Sequence, residues 1–218
     1  MSKKVISLQG ETSFLSSITP TAEHTMGLIH AVHRRLTGAH DAVFVGEWDR
    51  YKFPAPRMLS RSTLGIIGYG RLGKLVEKYA RNMFKEVMYY DPVEGGTSIE
   101  AVLHCADVLT IHAGGSRNLP MIDYKELIQL PKDAIVINTA RGNVLDLPSA
   151  LTLVEEGHLW GVGVDCFSIE PPILTKQQKK LMEEGRFIVT PHIGGSTEDA
   201  WYETERFVIN KVLKETQK

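Results

Sequence analysis

Arg141, Glu170 and His192 are the residues of this chain best suited to moving protons and charge on a small acid. Arg141 follows Asn138-Thr139-Ala140. Its planar, permanently charged guanidinium suits bidentate capture of a carboxylate. Glu170 lies in Asp165-Cys166-Phe167-Ser168-Ile169-Glu170-Pro171-Pro172, and His192 in Thr190-Pro191-His192-Ile193-Gly194-Gly195. A histidine paired with a carboxylate can give and take a proton near neutral pH. Singly, each has a plainer reading: a surface ion pair, a turn residue, a loop histidine satisfied by backbone. The three gain weight together because each is expected just beyond a strand, at one edge of one sheet.

A second constellation is Gly68-Tyr69-Gly70-Arg71-Leu72-Gly73. An apolar run, Thr63-Leu64-Gly65-Ile66-Ile67, precedes it and reads as a buried strand. Lys74–Ala80 follows as a helix, and the next strand, Val87-Met88-Tyr89-Tyr90, ends on Asp91. Strand, glycine turn, helix, strand and terminal acid in one unit point to dinucleotide binding. Gly68 permits the turn, Gly70 lets a pyrophosphate approach the backbone, and Gly73 brings helix and sheet close. Free N–H groups at the helix start suit phosphates. Asp91 is expected to accept from both hydroxyls of an adenosine ribose and to repel a 2′-phosphate, favouring NAD over NADP.

The elements that must position these groups form an alternating series. Strands are expected to end near Ile67, Tyr90, Ile111, Ile137, Val164 and Val189, each a short β-branched run buried on both faces. With helices between them, the fold class is α/β, a doubly wound parallel six-stranded sheet with an N-terminal helix and arm and a C-terminal helix, roughly Thr197 to Lys214. Ligands bind such sheets beyond the carboxyl ends of the strands. The stretches to inspect are therefore Gly68–Gly73, Asp91, His112–Ser116, Thr139–Gly142, Asp165–Pro171 and Pro191–Ser196.

Before the first strand, Thr19-Pro20 reads as a helix start. The helix should reach about Leu36, with Met26, Ile29, Val32, His33 and Leu36 near one face. Residues 37–60 contain glycine, proline and interspersed Phe44, Trp48, Tyr51 and Phe53. They read as an extended connection whose aromatics bury against something. Residues 1–18 have no strong periodicity. The expected divisions are 1–18 as a linker, 19–200 as the dinucleotide-binding domain, and 201–218 as the C-terminal helix.

Composition excludes several classes. The 218 residues carry a net charge of −1, which gives no global basic field for nucleic acid. No apolar run is long enough to span a membrane. The start, Met1 to Ser7, lacks a signal-peptide core, and a cytoplasmic location is the default expectation. The two cysteines, Cys105 and Cys166, are far apart and read as buried apolar residues rather than a disulfide. His24, His30 and His33 lack the H-E-x-x-H pattern, so they read as packing or interface residues and no metal site is expected.

Several motifs in one order carry a resemblance: Thr21-Ala22-Glu23-His24-Thr25, Leu64–Lys74, Tyr90-Asp91-Pro92, Ile137–Gly142, Gly163-Val164-Asp165, Glu170-Pro171 and Thr190–Gly195. With them the chain resembles the cofactor-binding domain of the D-isomer-specific 2-hydroxyacid dehydrogenases, the family that includes D-3-phosphoglycerate dehydrogenase. The resemblance implies that Arg141 binds a 2-oxo acid and polarises its carbonyl. It implies that His192 exchanges a proton with the carbonyl oxygen and that Glu170 orients His192. Arg71 and Leu72 would present backbone N–H groups to the pyrophosphate of NAD. Thr139, its neighbour Ala140, and Asp165 would stand on the nicotinamide side, with Gly194 and Gly195 lining the same pocket.

The family usually has an apolar residue and then Pro-Leu after the histidine of the third strand. Here His112 is followed by Ala113-Gly114-Gly115-Ser116-Arg117, which puts Gly114 in the loop flanking the nicotinamide. The family also has a substrate domain, mostly from sequence before the first helix. About 100 residues of it, one domain's worth, have no counterpart here, and residues 1–18 would form at most its last strand and linker. A substrate half could then come from a longer enzyme or from a separate chain. The resemblance further implies a homodimer through helix 20–36 and arm 37–55, and a small 2-oxo or 2-hydroxy acid as substrate. The rival expectation is a non-catalytic, NAD-dependent regulatory module similar to corepressors of the C-terminal-binding-protein type.

Overall fold

Six apolar runs and one glycine pair build a single sheet in the computed structural model, which describes residues 5–114 and 120–216. In chain order the elements are α1 (Thr12–Leu15), α2 (Pro20–His33), α3 (Leu36–Phe44), β1 (Thr63–Ile67), α4 (Arg71–Ala80), β2 (Glu86–Asp91), β3 (Gly95–Gly96) and α5 (Ile99–Cys105). There follow β4 (Val108–Ile111), α6 (Tyr124–Leu127), β5 (Ala134–Asn138), α7 (Leu147–Glu155), β6 (Leu159–Val164), α8 (Lys176–Glu183), β7 (Phe187–Val189) and α9 (Glu198–Thr216).

The sheet order is β3-β2-β1-β4-β5-β6-β7. All neighbours run parallel except β3, which pairs antiparallel to β2 through Tyr90↔Gly96 and Asp91↔Gly95. The six expected strands are present, with β3 as an added edge. From β1 the chain goes one way to β2 and the other way to β4, which opens a crevice at the carboxyl ends of β1 and β4.

Strand periodicity divides the core. Leu64, Ile66, Ile135 and Ile137 point to one face, where Ala22, Ile29 and Val32 of α2 and Val76 and Ala80 of α4 cover them. Ile67, Leu109, Ile111 and Val136 point to the other, packed with Val102 and Leu103 of α5 and Leu151 and Val154 of α7. Burial on both faces explains why these strands are continuous apolar runs.

Four expectations need correction. The first long helix ends at His33, because Arg35 takes a left-handed conformation (φ 48°) and a new helix, α3, starts at Leu36. Residues 37–44 are thus helical rather than extended, and Leu36 is exposed. Three of the four arm aromatics do not bury within the chain: Phe44, Trp48 and Tyr51 are 80% or more exposed, while Phe53 is half-buried. Cys105 is exposed, and only Cys166 is buried.

The segment before residue 19 contains a helical turn, α1, and no strand among its described residues. It packs on the C-terminal helix. Phe14 stacks on Phe207 with ring centroids 4.1 Å apart, and the Lys211 ammonium donates to Glu11 (2.5 Å) and to the Ser7 carbonyl (3.2 Å).

Candidate cofactor and acid-base site

The turn after β1 is shaped by close approach. Gly68 has φ +91°, and a Cβ on it would lie 2.7 Å from the His112 carbonyl carbon and the Ala113 nitrogen. A Cβ on Gly73 would lie 2.3 Å from the Gly68 carbonyl oxygen. Among the described residues, nothing lies within 4 Å of the absent Cβ of Gly70, the residue before α4, and no side chain caps the helix. The first N–H groups of α4, on Arg71 and Leu72, therefore border open space at the positive end of the helix dipole. The Arg71 side chain turns away and donates to the carbonyls of Leu15 (3.0 Å) and Ile18 (2.7 Å).

Asp91 closes this end. One oxygen accepts from the Tyr69 N–H (2.8 Å), the other from the N–H groups of Val93 (2.8 Å) and Glu94 (3.0 Å). The Glu94 N–H lowers its carboxyl most; burial opposes, and the N–H groups of Val93 and Tyr69 add to the lowering, so the group lies below the usual range. A carboxylate offers about four acceptor positions. Three are used, so about one remains for a ribose hydroxyl rather than enough for two separate bonds.

The edge formed by β5, β6 and β7 is tied more tightly. The Asn138 side chain donates to the Arg141 carbonyl (2.9 Å) and accepts from the Ala140 N–H (3.0 Å), fixing the loop after β5. The Thr139 hydroxyl meets that of Thr25 at 2.8 Å, and Thr25 in turn donates to the Thr21 carbonyl. Asp165, at the end of β6, is buried. It accepts from the Thr190 hydroxyl (2.6 Å) and from the N–H groups of Ile193 (2.9 Å) and Gly194 (2.8 Å). His24 Nε2 lies 2.9 Å from the Thr190 hydroxyl and 3.4 Å from Asp165. Burial by itself would raise the Asp165 carboxyl. The bonds from His24, Thr190, Gly194 and Ile193 outweigh it and bring the group down to about 2.

On this frame sit the acid-base candidates. His192 Nδ1 and a Glu170 oxygen are 2.9 Å apart, with side chains 48% and 39% exposed. The other Glu170 oxygen accepts from the Phe167 N–H (2.9 Å). The bond to His192, then that from Phe167, lowers the Glu170 carboxyl from its ordinary value. His192 has φ +55°, a conformation costing about 1–3 kcal/mol for a residue with a Cβ. Its N–H donates to the carbonyls of Asp165 (2.9 Å) and Thr190 (3.0 Å), which hold it there. The structure thus brings His192 and Glu170 into contact. Arg141 stands on the loop after β5, exposed, with its guanidinium donating to the Ala140 carbonyl (2.6 Å). Gly194 is buried beside Asp165, while Gly195 and Gly114 are exposed. Residues 115–117 of the loop after His112 lie outside the described residues.

His24 does more than the sequence reading allowed. It bonds Thr190 beside Asp165 rather than serving only as packing. A buried acid at a strand end requires several donors, which is the signal that points to His24 and Thr190.

The comparisons with known proteins decide the family. Residues 26–194 match the model described as D-isomer specific 2-hydroxyacid dehydrogenase, NAD binding domain. The chain belongs to this family. It is 32% identical to D-3-phosphoglycerate dehydrogenase of Bacillus subtilis, over 89% of this chain and 38% of that protein. It is 34% identical to glycerate dehydrogenase of Methylorubrum extorquens, over 82% of this chain and 59% of that protein. Among solved structures, D-lactate dehydrogenase of Aquifex aeolicus, complexed with NAD and lactic acid, matches with a TM-score of 0.76 and 30% identity, covering 91% of this chain and 66% of that one. The chain spans about half the length of these curated relatives.

As the NAD-binding domain of a D-2-hydroxyacid dehydrogenase, it has parts that fit the cofactor. The open space at Gly70 faces the start of α4, and Asp91 stands at the end of the next strand. The corepressor-type reading is not favoured, because the matched relatives are named as dehydrogenases and reductases.

Proposed function

We propose that this NAD-binding domain, joined to a substrate-binding domain, takes part in the reversible reduction of a small 2-oxo acid to a D-2-hydroxy acid. The 2.9 Å contact between His192 and Glu170 carries the reading. NAD supplies or accepts the hydride when bound. In the reduction, His192 gives a proton to the substrate oxygen, and Glu170 holds the ring in orientation and balances its positive charge. Arg141 exchanges its bond to the Ala140 carbonyl for the substrate carboxylate and draws electron density from the carbonyl. Arg71 and Leu72 offer N–H groups to the pyrophosphate. Asp91 takes a ribose hydroxyl, and Thr139, Ala140, Asp165, Gly114, Gly194 and Gly195 shape the nicotinamide side.

The proposal extends to the assembly. Residues 1–18 act as a linker, 19–200 as the NAD-binding domain and 201–218 as the C-terminal helix. Exposed Phe44, Trp48 and Tyr51 form the homodimer contact, since aromatics anchor interfaces. The working location is the cytoplasm. Among the described residues no helix is long and apolar enough to cross a membrane.

The test is a fluorescence titration with NADH followed by a panel of 2-oxo acids, with and without a relative's substrate domain. NADH binding, with oxidation once the substrate domain is present, supports the proposal. NADH binding with no oxidation of any 2-oxo acid in either case overturns it.

A further inference from the structure

Cys166 stands at the end of β6 beside the acid-base pair. One ligating atom from each of Cys166, Glu170 and His192 lies within 4.8 Å of the others. We propose that these three residues form an inhibitory site for a thiophilic divalent cation, Zn2+ being the natural candidate. The donors are a thiol, a carboxylate and an imidazole, a set that selects Zn2+ over Mg2+ or Ca2+. Three protein ligands with one open position is a usual arrangement for accessible zinc.

The geometry needs only a modest change. Zinc bonds of about 2.3 Å to sulfur and about 2.0–2.2 Å to nitrogen and oxygen set tetrahedral ligand atoms roughly 3.3–3.7 Å apart. The sulfur must therefore draw nearer the pair by up to about 1.3 Å, while His192 Nδ1 and the Glu170 oxygen, 2.9 Å apart, must part by about 0.4 Å. Cys166 is the fixed member: it is buried, with its sulfur 3.7 Å from the Ala140 carbonyl. Glu170 and His192 are the members free to adjust, being 39% and 48% exposed. Cys166 also lines a cavity of about 280 Å³ with Asn138, Val164, Phe167 and Ser168, which gives room beside the thiol. As the metal–sulfur bond forms, the thiol proton leaves to water. The cation then holds the imidazole and carboxylate, and no proton transfer can pass through them. This last consequence rests on the proposed function; the binding itself does not.

Calorimetric titration of the chain with ZnCl2, paired with Co2+ absorption spectra, tests the site. One equivalent of Zn2+ should bind, Mg2+ should not compete, and Co2+ should give a thiolate charge-transfer band in the near ultraviolet. Cys166→Val should abolish the band and weaken Zn2+ binding at least tenfold, with NADH binding as the check on folding. His192→Asn should weaken Zn2+ binding as well, through a different donor. Unchanged Zn2+ affinity in Cys166→Val, or no cobalt–thiolate band in the unsubstituted chain, overturns the site. Failure of the acid-base reading shows elsewhere, as turnover that survives His192→Asn, and leaves the binding result untouched.

Discussion

At the β1–β2 end of the ligand edge, recognition is built from backbone: a glycine turn, uncapped N–H groups and one exposed-side carboxylate held by three amides. At the β5–β7 end it is built from side chains, with buried Asp165 gathering bonds from Thr190, Ile193 and Gly194 and from His24 nearby. The first arrangement leaves open space for a ligand and makes few demands on folding. The second holds its own frame together, and the exposed His192–Glu170 pair stands on it. Stability and chemistry should therefore separate along the edge, and substitutions at the two ends should fail in different ways.

The largest effect is expected at His192. His192→Asn should lower turnover of the domain joined to a substrate half on the order of 10²–10⁴-fold. NADH affinity should stay nearly intact, because the β1–β2 end is untouched; steady-state kinetics and a fluorescence titration read the two. Coupled loss of both would show that the two ends do not act separately.

Asp165 comes next, and its effect is on stability. An ordinary aspartate titrates near 3.8, whereas Asp165 is held at about 2. The ionised group therefore contributes about 2 kcal/mol, fully present above roughly pH 5 and lost as pH falls toward 2. Asp165→Asn should cost about that much in urea unfolding at pH 7. The gap to the unsubstituted chain should close as pH falls through this window, and a gap independent of pH would remove the carboxylate's charge from the account.

Asp91→Ala should be milder. With about one acceptor position left for the ribose, the loss corresponds to a single charge-assisted hydrogen bond, about 1.5 kcal/mol, or roughly tenfold in NAD affinity. Discrimination against NADP should fall, and unfolding stability should fall as well, though less than in Asp165→Asn, because the N–H groups of Tyr69, Val93 and Glu94 lose their acceptor. Equal binding of NAD and NADP before and after the change would take Asp91 out of the ribose site. The smallest effect on the chain itself belongs to Trp48→Ala. Its side chain is 89% exposed, so stability should change by less than about 0.5 kcal/mol. The proposed homodimer should nevertheless be lost, read by light scattering as a mass halved relative to the unsubstituted chain.

The same contrast governs what could be read from sequence. Most strands were legible because burial on both faces leaves continuous apolar runs; β2, half-exposed along its length, is the exception to that burial, yet all six ended within a residue of expectation. The glycine turn was legible because backbone recognition demands particular residues at particular spacings. Helix α3 was hidden by Gly38, which reads as a helix breaker. In the structure its absent Cβ faces the backbone of Glu184 and Gly185 at 2.9 Å, so this glycine serves a close contact with the turn after α8. The exposed aromatics of the arm lack any periodic signal tying them to this chain. His24 was hidden because its partners, Thr190 and Asp165, are distant in sequence, and only the folded sheet sets them side by side.

The three glycines of the turn would also age differently in a lineage that gave up the cofactor. Gly68 is fixed by the His112–Ala113 backbone, and Gly73 by the Gly68 carbonyl. Both would persist as long as the sheet does. Gly70 has no neighbour to answer to among the described residues, and would drift as soon as nothing occupied the space in front of it. Of the three, Gly70 is the position whose loss would mark a descendant that has kept the architecture and abandoned the ligand.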